Sequence, residues 1–205
     1  MHPHAGDIRH GYGQRSPFNH FGMAASFVSQ ACEADMLSLV FTNSSPALPP
    51  WGGRNMLLGT SPIAWVPQED LTESLFALDM APTIAARGKM YKAQRRGESI
   101  PDDWALDKLG NRTTDPSAAL EGGVLLPVGG LKGSALAIMM DVVSGVFSGS
   151  AFAGDEIGPY HLDGKANVGH FFDAMKSELF MSRGFQGSNG HIVSESGRMR
   201  ENAGN

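Results

Sequence analysis

The residues of this chain that are equipped for chemistry are few and lie far apart in sequence. His20 stands ahead of a helical pattern, with Asn19 in position to cap it. An imidazole titrates near neutrality, so a histidine there can hold or release a proton in either direction; it can equally be structural. Ser44 follows a short β-prone run, in Asn43-Ser44-Ser45-Pro46. Its hydroxyl can exchange hydrogen bonds with a nucleotide or ribose, although the same tetrapeptide is ordinary turn chemistry. Asp79 ends another β-prone run. Its carboxylate can accept from the hydroxyls of a ligand, or cap the helix expected to start near Thr83. Lys132 lies in Gly129-Gly130-Leu131-Lys132-Gly133, ahead of the most apolar helix candidate. Glycines let backbone N–H groups approach an anion, the helix dipole favours negative charge there, and lysine adds a point charge, a set suited to a pyrophosphate.

Other chemistries lack their residues. His161 and His170 have no partners at metal-ligand spacing, so no metal is expected. No Gly-x-Gly-x-x-Gly opens a helix after a strand, so the Rossmann fingerprint is absent, and there is no Walker-type phosphate loop. Cys32 falls on an apolar helical stripe and reads as a small buried hydrophobe rather than a nucleophile. A lone cysteine cannot form an internal disulfide, which suits a reducing compartment, and the cytoplasm is the expected location.

The remaining elements must position these groups. With 205 residues, 41% of them apolar, the chain can bury the core of about one domain. A net charge of −5, with both signs interspersed, gives no footprint for nucleic acid. No apolar run is long enough for a membrane helix, and the first residues are too polar for a signal peptide. Apolar residues at Ala24, Phe27, Val28, Ala31 and Cys32 predict a helix over 21–35. Strands are expected over 36–42, 63–66, 74–79 and 167–175. Residues 43–62 read as an ordered loop or lid, 98–121 as polar connection and 151–166 as a surface loop. A helix over 83–96 carries basic residues, Arg87 among them, that read as a solvated face.

Several short stretches, in this order, carry a family fingerprint. They are Asn19-His20-Phe21-Gly22, Thr42-Asn43-Ser44-Ser45-Pro46, Pro50-Trp51-Gly52-Gly53, Gly59-Thr60-Ser61-Pro62, Asp79-Met80-Ala81, Trp104-Ala105-Leu106-Asp107-Lys108 with Thr113-Thr114-Asp115-Pro116, and Gly129-Gly130-Leu131-Lys132-Gly133. Over residues 19–181 the chain resembles the malate/L-lactate dehydrogenase family of non-Rossmann NAD(P)-dependent oxidoreductases. The resemblance implies a mixed α/β fold with a largely antiparallel sheet flanked by helices. It implies hydride transfer between NAD or NADP and a small 2-hydroxy or 2-keto acid, and a homodimer. It also implies that Ser44, Asp79, Met80, Ala81 and Lys132 contact the cofactor. His20 becomes the candidate for moving the proton at the carbinol oxygen, a role that some relatives give to an upstream histidine instead. Trp51 and its flanking prolines and glycines form either a cleft platform or simple packing. Ser61 replaces the family's Asn and removes an amide; Ser134 and Ala135 stand where Tyr and Gly are usual.

Relative to that family, the chain is expected to be incomplete at both ends. Relatives carry an upstream Ser-His-Gly followed by Arg, which binds and protonates substrate. Residues 1–18 and 182–205 lose the family pattern, and shifting a permitted back-translation by one base restores family-like segments in both. They are therefore expected to be an aberrant segment and an irregular tail, flanking a cofactor-binding portion at 19–181. The alternative to an enzyme is a catalytically dead fragment that acts as a cofactor-binding or dimer-forming module.

Overall fold

The computed structural model describes residues 10–18, 21–67, 77–158, 166–176 and 179. In chain order the elements are β1 (His10–Phe18), α1 (Ala25–Glu33), β2 (Leu37–Thr42), β3 (Pro46–Leu48), β4 (Leu58–Gly59), β5 (Ile63–Val66), β6 (Leu78–Met80), α2 (Arg87–Arg96), β7 (Ala105–Leu106), α3 (Pro116–Leu120), β8 (Val124–Leu125), α4 (Leu131–Asp141), which runs into a π-helical turn (Val142–Val146), and β9 (Val168–Met175). The main sheet has the order β1-β9-β2-β5-β6, and every neighbouring pair is antiparallel. The fold is thus the mixed α/β arrangement, with an antiparallel sheet and flanking helices, that the sequence resemblance implied.

Two cores follow from two apolar patterns. The stripe on α1 buries Val28 and Cys32 against Val40, Ala64 and Val66 of β2 and β5. Burying one such side chain stabilises by roughly 1.5–3 kcal/mol. Phe21, Phe27 and Phe172 close the edge of this layer. The second core gathers Leu48, Leu58, Met90, Ile100, Leu125 and Ala137 from the small β3–β4 and β7–β8 ribbons, from α2 and α4, and from the link after α2.

Local chemistry moves some boundaries. The helix expected from residue 83 starts at Arg87, because Thr83 is held in a bridge with Pro127 and Ile84 N–H donates to Leu126 O at 2.9 Å. It ends at Gly97, whose φ of 66° is a left-handed cap. Residues 98–121, expected as connection, contain β7 and α3; Asp115 caps α3 through the Ser117 N–H, with Pro116 in its first turn. Residues 10–18 belong to the segment read from sequence as irregular and here form β1, registered on β9 from His10↔Met175 to Phe18↔Val168. Residues 1–9, Asn19, His20 and 182–205 lie outside the described residues.

Candidate functional site

A cavity of about 530 Å³ opens where several chain segments converge. The end of β2 and the residues after it supply Thr42, Asn43, Ser44 and Ser45. Thr60 and Pro62 come from the β4–β5 link, and Ala81 follows β6. The start of α2 supplies Ala86, Arg87, Gly88 and Tyr91, and β9 supplies Val168 and His170. Strand ends and a helix start are where such sites form, because they hold side chains rigidly yet leave backbone groups accessible.

Ser44 is held by its neighbours rather than left as a free turn. Its Oγ lies 3.4 Å from the Thr60 hydroxyl and accepts from the Ser61 N–H at 3.3 Å. Gly59 is required here, since a Cβ at that position would overlap Ser44 backbone and side-chain atoms. The Ser61 hydroxyl is buried and lacks a hydrogen-bond partner among the described residues.

Next to Ser44, Thr42 Oγ1 donates to Gly169 O at 2.7 Å and lies 2.8 Å from Nδ1 of His170. A hydroxyl has one proton, so its bond to the carbonyl leaves the oxygen as acceptor and assigns a proton to Nδ1. The His170 ring is buried and lies against Phe21 with centroids 4.7 Å apart.

Asn43 fastens this wall to a buried pair of carboxyl groups. Its Nδ2 is 2.8 Å from Glu156 Oε1, 3.2 Å from Asp141 Oδ1 and 2.7 Å from Ala151 O. Its Oδ1 accepts the Gly169 N–H at 2.8 Å. Gly145 lets the π-helical turn approach, because a Cβ there would sit 2.8 Å from Asn43 Nδ2. Burial first, then the hydrogen bond and charge of Asp141, push the Glu156 carboxyl up to about 8. Glu156 is thus a buried group inside what the sequence suggested was a surface loop.

The residues expected to bind a cofactor divide. Ser44 and Ala81 share the cavity. Asp79 and Met80 lie on β6, paired with Ala64 and Ile63, and lead directly into Ala81. Asp79 does act as a helix cap, but for α1 rather than for the helix after it: its Oδ2 accepts the Ala25 N–H at 3.0 Å. This replaces the expected cap at Asn19, because α1 begins at Ala25 after an N-cap residue, Ala24, that offers no side-chain bond. Lys132 is exposed in the first turn of α4 and is not among the residues lining the cavity. Its turn nevertheless leans on the segment after Ala81. Val128 N–H donates to Pro82 O at 2.8 Å, and Gly133 fits where a Cβ would come within 2.8 Å of that same carbonyl. Trp51 packs over Gly130, where a Cβ would meet its ring at 2.8 Å, and the Trp51 backbone N–H donates to Ser134 Oγ at 2.9 Å. His20 lies outside the described residues; its neighbour Phe21 lines the cavity.

Arg87 departs from the solvated face expected of its helix. Its guanidinium makes a weak polar contact, Nη2 to Met56 Sδ at 3.4 Å. Among the described residues it is the cavity's only Lys or Arg, and no carboxylate lines the cavity with it. It sits in a first turn that contains no acidic residue, where the helix dipole disfavours a cation by about 0.3–1 kcal/mol. Among the described residues no group of three or more potential metal-ligating side chains occurs, and no helix is long and apolar enough to cross a membrane.

Fold and cavity together define an α/β domain whose cavity presents hydroxyls, an amide and one guanidinium among its lining. The chain belongs to the malate/L-lactate dehydrogenase family, whose model matches residues 11–203. It is 37% identical over 163 residues to the (2R)-3-sulfolactate dehydrogenase (NADP(+)) of Chromohalobacter salexigens, covering 79% of this chain and 48% of that protein. It is 38% identical over 168 residues to the ureidoglycolate dehydrogenase (NAD(+)) of Escherichia coli, covering 82% of this chain and 47% of that one. The solved sulfolactate dehydrogenase of Methanocaldococcus jannaschii superimposes with a TM-score of 0.79 at 34% identity, over 92% of this chain and 53% of that structure. The chain spans about half the length of the curated relatives it matches.

Proposed function

We propose that this chain forms the cofactor-binding part of an NAD(P)-dependent oxidoreductase acting on a small 2-hydroxy or 2-keto acid of the malate/lactate type. The observation that carries this reading is the meeting of Ser44, Ala81 and Arg87 in one cavity. They come from three separate segments of the chain. NAD and NADP both remain candidates, since one of the relatives above is named for each. The dinucleotide, when bound, supplies the hydride chemistry. In this reading the chain's own residues bind and orient it. Ser44 and the Asp79-Met80-Ala81 segment line its path, Lys132 offers a charge at the adjoining turn, and Arg87 holds an anionic group in the cavity. His20 moves the proton at the carbinol oxygen. The intact protein is a cytoplasmic homodimer that binds neither nucleic acid nor membrane.

A second reading is a cofactor-binding or dimer-forming module without turnover. NADH and NADPH titrations, followed by reduced-cofactor absorbance with oxaloacetate or pyruvate, separate the two. Binding with turnover supports the enzyme, and binding alone supports the module. A folded chain that binds neither dinucleotide refutes both.

A further inference from the structure

We propose that Glu156 is a positioning residue for the cavity, acting through a shared proton with Asp141 that fixes Asn43 and hence Ser44. The proposal rests on the reading that the cavity holds a dinucleotide, and its test separates the two.

The geometry points to the shared proton. Asn43, Asp141 and Glu156 are 1%, 5% and 4% exposed. Asn43 Nδ2 lies 2.8 Å from Glu156 Oε1 and 3.2 Å from Asp141 Oδ1, so one amide nitrogen gathers an oxygen of each carboxyl, and a hydrogen bond between two carboxyl groups needs one proton between them. The other oxygens are already used: Ala153 N–H donates to Asp141 Oδ2 at 2.9 Å and Gly154 N–H to Glu156 Oε2 at 3.1 Å. Among the described residues neither carboxyl forms an ion pair, so no cation offsets a second negative charge there. The Asn43 amide has two N–H bonds facing three oxygens, and its carbonyl is committed to Gly169. A proton on the acid pair is therefore what keeps the cluster from being a surplus of acceptors.

Asn43 transmits this state. It lines the cavity between Thr42, which is bonded toward His170, and Ser44. Among the described residues the titratable group acting on Glu156 is Asp141 at the end of α4, and Asp155 precedes Glu156 in the chain. The segment just after β2 faces Glu156 with the neutral amide of Asn43. Losing the proton leaves two buried carboxylates in contact, and they repel. Because Glu156 is pushed up to about 8, the clasp is intact below that pH and opens above it.

The test follows Ser44 and ligand affinity together. In the wild-type chain the Asn43 side-chain amide and the Ser44 backbone amide titrate by NMR with a midpoint near 8, and NADH affinity falls about tenfold from pH 7 to pH 9.5. Glu156→Gln, a neutral isostere, keeps affinity at pH 7 within about twofold and flattens both profiles. Asp141→Asn does the same and serves if the first variant fails to fold. A Ser44 resonance that does not move near pH 8, or an affinity with the same pH dependence in wild type and variant, overturns the proposal while leaving the dinucleotide reading intact. A chain that binds no NADH but whose Ser44 titrates only with Glu156 present supports the positioning role and sinks the dinucleotide reading.

Discussion

Replacing Gly133 by alanine sets helix propensity against packing, and the two predict opposite signs. Gly133 lies in the first turn of α4, where alanine is intrinsically better by about 1 kcal/mol. The site has no room for the methyl. A Cβ would come within 2.8 Å of Pro82 O and of Val128 N, and would overlap Val128 O. These are backbone atoms, so relief requires moving the Lys132 turn away from the segment that follows Ala81. Overpacking of this kind costs roughly 1–3 kcal/mol. Displacement also weakens the bonds from Gly133 N–H to Val128 O at 2.9 Å and from Val128 N–H to Pro82 O at 2.8 Å, each worth about 1 kcal/mol. The net expectation is destabilisation by about 2 kcal/mol. Gly88, early in α2, is the matched control: nothing lies within 4 Å of its Cβ position, so alanine there should stabilise by about 0.5 kcal/mol. Urea unfolding midpoints, with m-values unchanged, measure both. Equal gains for the two variants would refute the contact between the Lys132 turn and Pro82, and with it the link between Lys132 and the cavity wall.

Asp79→Ala should cost about 1 kcal/mol by uncapping α1, and Asp79→Asn, which keeps an acceptor for Ala25 N–H, only a few tenths; chemical denaturation of both checks this. Glu156 has a folded-state value near 8 against an ordinary 4.5, so it contributes stability that is full below pH 4.5 and lost as pH rises through 8. Unfolding free energy should therefore fall by on the order of 1–3 kcal/mol between pH 6 and pH 9, and less steeply in Glu156→Gln. Arg87→Met, which keeps much of the side-chain volume and contact with Met56, should weaken NADH binding roughly 10- to 100-fold, the loss of a hydrogen bond to a charged group; calorimetric titration at fixed salt reads it.

Elements with a single buried face were legible in the sequence. The period of Ala24, Val28 and Cys32 gave α1, and the β-prone runs gave β2, β5 and β9, because burial on one side leaves its period in the chain. The start of α2 was not, since it depends on Thr83 pairing with Pro127, a contact invisible in a local window. The Asp79 cap spans 54 residues, so an acid at a strand end gives no sign of which helix it serves. Arg87 looked like one more cation on a solvated face; its lone signal was a first turn without an acidic residue. Glu156 sat in a polar stretch whose composition reads as surface, and only the approach of Asn43 and Asp141 buries it. His170 was visible as one side of an alternating strand, but its place in the cavity depends on which end of β9 meets β2. Ser44 and Ala81, singled out through the family motifs, line one cavity, and no motif pointed to Arg87, which lines it too.

A crystal structure of this chain grown with NADH addresses the central claim most directly. The account predicts dinucleotide density in the cavity bounded by Ser44, Ala81 and Arg87, with the guanidinium within hydrogen-bond distance of an anionic oxygen. Density confined to the groove beside Trp51 and Pro127, or a saturated complex that leaves this cavity empty, would contradict it.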